Sequence, residues 1–191
     1  MFGYFGSKYW LVRYYPAPRF DRIVEPFAGS AQYAFYYWDR KVVLIEKNHY
    51  TVALWKWLQK ATQKEILALP IPNPGDPIEH SVPEARDLIA MSMNPGTTPP
   101  GRHFAGSWNT LSLNWERKRN KIASTLNRIR HWDIRLGDYR EIRNYKATWF
   151  IDPPYQHRPK NYHKYRLENE DYSVLGEYCK TRRGQVIACD L

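Results

Sequence analysis

Five short stretches of strand length, interleaved with stretches of helical periodicity, limit what this chain can fold into. They are Arg22–Phe27, Val42–Ile45, Asp133–Leu136, Ala147–Ile151 and Gln185–Cys189. Between them, Ala31–Trp38, Tyr50–Ala61, Trp115–His131 and Asp171–Arg183 read as helices, the third with Ile122, Leu126 and Ile129 on one face and the last stopped by Gly184. Strands that alternate with helices imply an α/β fold, a doubly wound, mostly parallel sheet with helices on both faces. Ligands of such sheets bind beyond the carboxyl ends of the strands.

The alternation is interrupted once. Eight of the fourteen prolines fall between Pro70 and Pro100. That stretch reads as an excursion from the main fold, with one short helix beginning at Pro83 and ending near Asn94-Pro95-Gly96. With 191 residues the chain is one ordinary domain carrying a small insert. Its net charge of +10 points to a polyanionic partner, nucleic acid or an anionic membrane surface. No apolar run approaches the roughly 18 residues of a membrane span, and MFGYFGSKYW lacks the layout of a signal peptide. Cys179 and Cys189 are the only cysteines, too few for a disulfide framework or a Cys-rich zinc site. The histidines show no ligand spacing with acids, so no metal is expected. These features fit a cytoplasmic, nucleic-acid-associated domain.

The strongest chemical signal is Asp152-Pro153-Pro154-Tyr155, directly after the apolar strand. Two prolines fix φ, remove two donors and leave a stiff turn with free carbonyls. Asp152 can accept one N–H of an exocyclic amine and the Pro153 carbonyl the other, while the base lies on the Tyr155 ring. Two acceptors leave the amine lone pair pointing outward as a nucleophile. The plain alternative is a proline-rich turn after a strand.

Other signals are weak singly. Glu25-Pro26-Phe27-Ala28-Gly29-Ser30 follows the first strand, and Gly29 lets a ligand approach the backbone near a helix start. Glu46 ends the second strand, where an acid binds a ribose diol in nucleotide-binding sheets; otherwise it is an ordinary surface acid. Gly3-Tyr4-Phe5-Gly6-Ser7-Lys8 can close over a small anionic ligand or simply be a frayed terminus. Neither cysteine follows a proline, as a nucleophile for carbon methylation would.

Taken in order, aromatic-Gly-x-Lys, Glu-Pro-Phe-x-Gly, an acid after strand two, Gly137-Asp138-Tyr139 after strand three and Asp-Pro-Pro-Tyr after strand four resemble the Dam-type, alpha-group adenine-N6 DNA methyltransferases, including the short forms common in phages. The resemblance runs from Phe2 to about Ile187. It implies a Rossmann-like class I methyltransferase fold, S-adenosyl-L-methionine as methyl donor and DNA as partner. It assigns Tyr4, Gly6 and Lys8 to the N-terminal cofactor motif, and Phe27, Ala28 and Gly29 to the Gly-rich turn. Glu46 falls to the ribose hydroxyls, Asp138 and Tyr139 to the cofactor adenine, and Asp152, Pro153, Pro154 and Tyr155 to catalysis. Ser7 replaces a second glycine of the family pattern, and Ser30-Ala31 replaces a more glycine-rich continuation, implying a stiffer turn. The resemblance divides the chain into a catalytic domain, 1–68 and 116–191, and a target-recognition insert, 69–115. It leaves open whether a restriction enzyme accompanies the protein.

Between Arg102 and Lys146 eleven basic residues face four acidic ones, and 156–166 holds four basic residues and no acid. Basic residues interleaved with aromatics suit phosphate contact and stacking. The candidate nucleic-acid contacts are Arg102, Asn109, Arg117, Arg119, Arg158, Lys160 and Lys164. The aromatic residues Tyr33, Tyr36, Tyr37, Trp38, Trp55 and Trp57 read as core. Two rivals stand beside DNA methylation: the same chemistry on RNA adenine, and a truncated relative that grips DNA without turnover. The second draws on the chain end. Only Asp190 and Leu191 follow the fifth strand, where the family's sheet continues with a hairpin, so an open edge is expected there.

Overall fold

The computed structural model describes residues 2–3, 7–73, 75–94, 101, 108–154 and 169–189, with backbone alone for 108–113 and 169–170. It is a Rossmann-like α/β fold. The strands are β1 (Arg22–Glu25), β2 (Lys41–Glu46), β3 (Asp133–Leu136), β4 (Ala147–Ile151) and β5 (Gly184–Ala188). All pairings are parallel, in the order β3-β2-β1-β4-β5. From β1 the chain winds outward to β2 and β3, then returns to lay β4 and β5 on the other side. The switch point lies between β1 and β4, where such sheets hold ligands.

Strand residues alternate between two cores, as the period of two requires. Ile23, Val42, Leu44 and Phe150 face one, with Tyr33, Trp55 and Trp115. Val24, Val43, Ile45, Trp149 and Ile151 face the other, with Tyr139, Leu175 and Tyr178. Every residue of β4 is buried, which explains why all but Thr148, whose hydroxyl donates to Gln185 at 2.9 Å, are apolar.

The helices are α1 (Gln32–Tyr36), α2 (His49–Leu58), α3 (Gln63–Leu67), α4 (Pro83–Met93), α5 (Trp108–Thr125) and α6 (Asn169–Thr181). Three depart from the sequence reading. The first helix is only five residues long. The long basic helix begins seven residues before Trp115 and closes with a 3-10 turn, Leu126–Ile129. The short α3, held by a reciprocal cap between Thr62 and Glu65, has no counterpart in that reading. Ile122, Leu126 and Ile129 are buried as the periodicity requires.

Within the insert, α4 starts on Pro83 and buries Ala85, Leu88, Ile89 and Met91 in the same core as Trp55. The aromatic residues divide. Tyr33 and Trp55 are fully buried, but Tyr36 and Trp38 are 54% and 38% exposed, which corrects the expectation that they are core.

Strand β5 pairs with β4 alone among the described residues and forms the sheet edge. Its Val186 is half-buried and Ala188 exposed. The start of this edge is tied to the N-terminal segment: the Gln185 side chain accepts from the Arg19 N–H at 2.7 Å and donates to the Ala17 carbonyl at 3.1 Å.

Candidate active site at the switch point

The carboxyl ends of β1, β2 and β4 bring three acids together with the Gly-containing turn. Asp152 follows β4. Lys8, 144 residues away, donates to both of its carboxylate oxygens at 2.7 Å. Lys8 is buried and the Asp152 side chain is only 20% exposed, so the pair is largely shielded from water. The sequence reading gave Lys8 to the cofactor and Asp152 to the amine; the fold places the two in contact. Pro153 is buried, and the Pro154 carbonyl accepts from the Tyr172 hydroxyl of α6, so the turn is held from both sides.

Glu25, the last residue of β1, is 2% exposed and accepts from the Ala34 N–H at 2.6 Å. Burial pushes its carboxyl up to about 8, and the nearby Asp152 charge adds to the shift. It stood in a motif singled out from the sequence but had no role there. An acid closing an apolar strand just before a proline was its only signal.

The turn after β1 is fixed by backbone geometry. Gly29 has φ 46° and Ala31 φ 45°, both left-handed. Glycine takes that conformation freely, whereas alanine is strained in it by on the order of 1 kcal/mol. The stiffness expected from Ser30-Ala31 therefore has a physical form. The turn is held by three contacts. The Ala28 N–H donates to the Ile45 carbonyl at 3.1 Å. The Trp55 indole donates to the Gly29 carbonyl at 2.9 Å. The Gly29 N–H donates to Glu46 Oε2 at 2.9 Å.

Glu46 also accepts from the Asn48 N–H at 2.9 Å, and burial raises its pKa. The Lys47 backbone N–H bonds it as well, so three of the roughly four lone-pair positions of a carboxylate are taken and one remains for a hydroxyl donor. This turn and this acid fit an adenosine-bearing cofactor. Asp138 fits less well. It accepts from the Arg140 N–H, Nε and Nη2 and from Lys47 Nζ, which hold its pKa far below the usual carboxylate range. Those four bonds fill its acceptor positions, so reading an adenine amine requires Arg140 to leave. Tyr139 is buried, its ring 5.1 Å from Phe27 and 5.0 Å from Tyr178. Phe27 and Tyr139 thus make one aromatic wall beside the turn.

The remaining candidates separate. Arg117 is exposed on α5. Arg119 is half-buried and donates to the Leu69 carbonyl at 2.6 Å, fastening α5 to the residues after α3. Asn109 lies in α5, where the backbone alone is described. Tyr4, Gly6, Arg102, Tyr155, Arg158, Lys160 and Lys164 lie outside the described residues. Burial raises both thiols, Cys189 to about 11, so neither is poised as a nucleophile. Among the described residues no cluster of His, Cys, Asp or Glu has the makings of a metal site, and no helix is long and apolar enough to cross a membrane. No protein-family model and no curated protein matches the chain.

Proposed function

We propose that this protein transfers a methyl group from S-adenosyl-L-methionine to the N6 amine of adenine in DNA. The observation that carries the reading is the Lys8–Asp152 contact at the switch point. It joins the two ends of the motif series at the place where a parallel sheet of this order binds its ligands. The basic character of the chain, at net +10, suits a polyanionic substrate.

Asp152 accepts one N–H of the target amine and the Pro153 carbonyl accepts the other. The Lys8 ammonium balances the charge of the carboxylate. Tyr155 stacks on the extruded base. Phe27, Ala28, Gly29 and Glu46 hold the cofactor, Glu46 through its remaining acceptor position. When bound, S-adenosylmethionine supplies a methyl group on a sulfonium, a leaving group that an oriented amine displaces directly. Glu25, held by Ala34, keeps a protonated carboxyl beside Asp152 at neutral pH, so a second negative charge does not compete for Lys8.

Transfer of tritiated methyl from S-adenosylmethionine to DNA and to RNA, with Asp152→Ala as control, tests the reading. Label in DNA adenine that disappears in the variant supports it. Label in RNA alone moves the activity to the RNA rival, and no label in either leaves a binding protein.

A further inference from the structure

A groove of about 740 Å³ runs between the N-terminal segment, α1 with the residues after it, and α5 with its 3-10 extension. Four aromatic side chains on it face solvent: Tyr9, Trp10, Tyr36 and Trp38, the second of them 74% exposed. Large aromatic residues gathered on one exposed surface mark a binding site rather than a core. Among the described residues the same groove is lined by Arg13, Lys118, Lys121 and Arg128, and by no Asp or Glu.

Two of the cations are held against the rings. Lys121 Nζ lies 4.9 Å over the Tyr9 ring, and the Arg128 guanidinium lies 5.4 Å over Trp38 and 5.8 Å over Phe35. Stacking fixes these charges beside aromatic faces, so rings and cations form one ordered surface. Polar side chains able to read base edges are sparse, and Gln32 is already bonded to the Ser30 carbonyl at 3.2 Å.

We infer that this groove binds an unpaired nucleic-acid strand, its bases stacking on Tyr9, Trp10, Tyr36 and Trp38 and its phosphates meeting Arg13, Lys121 and Arg128. Rings plus cations with few neutral polar side chains among them are the surface of a sequence-tolerant single-strand binder. A closed duplex hides its base faces and leaves the rings without partners. An acidic peptide matches the charge and not the rings. The inference rests on the nucleic-acid reading above and extends it. The segment that builds the groove from Ser7 to Arg13 also carries Lys8 to Asp152, so a strand gripped here lies beside the residue proposed to receive its extruded base.

The test is fluorescein-labelled dT12 with the full chain and no methyl donor. It holds no adenine, so binding is read apart from methyl transfer. The expected result is tighter binding of dT12 than of a 12-base-pair duplex, with quenching of tryptophan fluorescence. Trp10→Ala and Trp38→Ala each weaken it about tenfold, and Trp10→Phe restores most of the loss. Replacing Arg13, Lys121 and Arg128 together by Gln flattens the salt dependence by about 2 units of slope. Thermal melts of the variants check that each still folds. Variants that bind dT12 like the parent, or a groove that holds an oligoglutamate peptide or anionic vesicles as tightly as dT12, overturn the inference. If dT12 binding ignores these residues while DNA is methylated, the groove fails and the enzyme stands. If dT12 binding depends on them and no methyl is transferred, the groove stands and the enzyme reading fails.

Discussion

The Lys8 ammonium lies 2.7 Å from each carboxylate oxygen of Asp152, so the N-terminal segment is fastened to the end of β4 across the switch point of the sheet. One contact thereby does two things. It closes the N-terminal segment over the strand ends, and it balances the charge of the Asp152 carboxylate, the group proposed to receive the substrate amine.

Removing one member of such a shielded pair costs the other a close, largely buried counter-charge. Lys8→Met is expected to destabilise the fold by about 3 kcal/mol, and Asp152→Asn in the same chain to return part of the loss. Urea unfolding of the two single variants and the double variant measures the coupling. A double variant whose loss equals the sum of the singles would show that the contact contributes nothing.

Glu46 holds the backbone of the turn, and under the proposed function it also receives a cofactor hydroxyl. Glu46→Ala is expected to weaken S-adenosylmethionine binding by roughly 1–3 kcal/mol. Calorimetry giving unchanged affinity removes Glu46 from the site.

Glu25 makes stability depend on pH. Burial lifts its carboxyl from a usual 4.5 to about 8, so the folded state keeps a proton that the unfolded chain has lost over that window. Its contribution is full below about 4.5 and is lost as pH rises toward 8, by at most about 1.4 kcal/mol per pH unit. Glu25→Gln keeps an acceptor for the Ala34 N–H and removes the titration. Denaturation midpoints from pH 5 to 8 should fall less steeply in the variant, and parallel slopes would refute the assignment.

Much of this architecture was legible in the residues. Strands β2 and β4 announced themselves as apolar runs of the length of a buried parallel strand, whereas β3, with Ile134 alone buried, rested on the alternation of elements; Ile122, Leu126 and Ile129 marked the buried face of α5 and its 3-10 extension. The five-residue α3 was not legible, since Gln63–Leu67 buries only Ile66 and has no apolar stripe. Tyr36 and Trp38 misled because a cluster of aromatic residues reads the same whether it meets the core or lines a groove. At the site, motif order placed Asp152, Gly29 and Glu46 at strand ends. Neither the burial of Glu25 nor the pairing of Lys8 with Asp152 has a local signature, because both depend on contacts between distant parts of the chain. Asp138 differs: three of its four bonds come from Arg140, two residues on, and only the bond from Lys47, 91 residues away, is a tertiary contact.

The measurement closest to the central claim is methyl transfer by Asp152→Ala, with S-adenosylmethionine binding measured on the same preparation. The account predicts transfer slowed by on the order of a hundredfold or more, with cofactor affinity largely intact, because Asp152 faces the amine and not the donor. Turnover near that of the parent protein, from a variant that still folds and binds the cofactor, would contradict it.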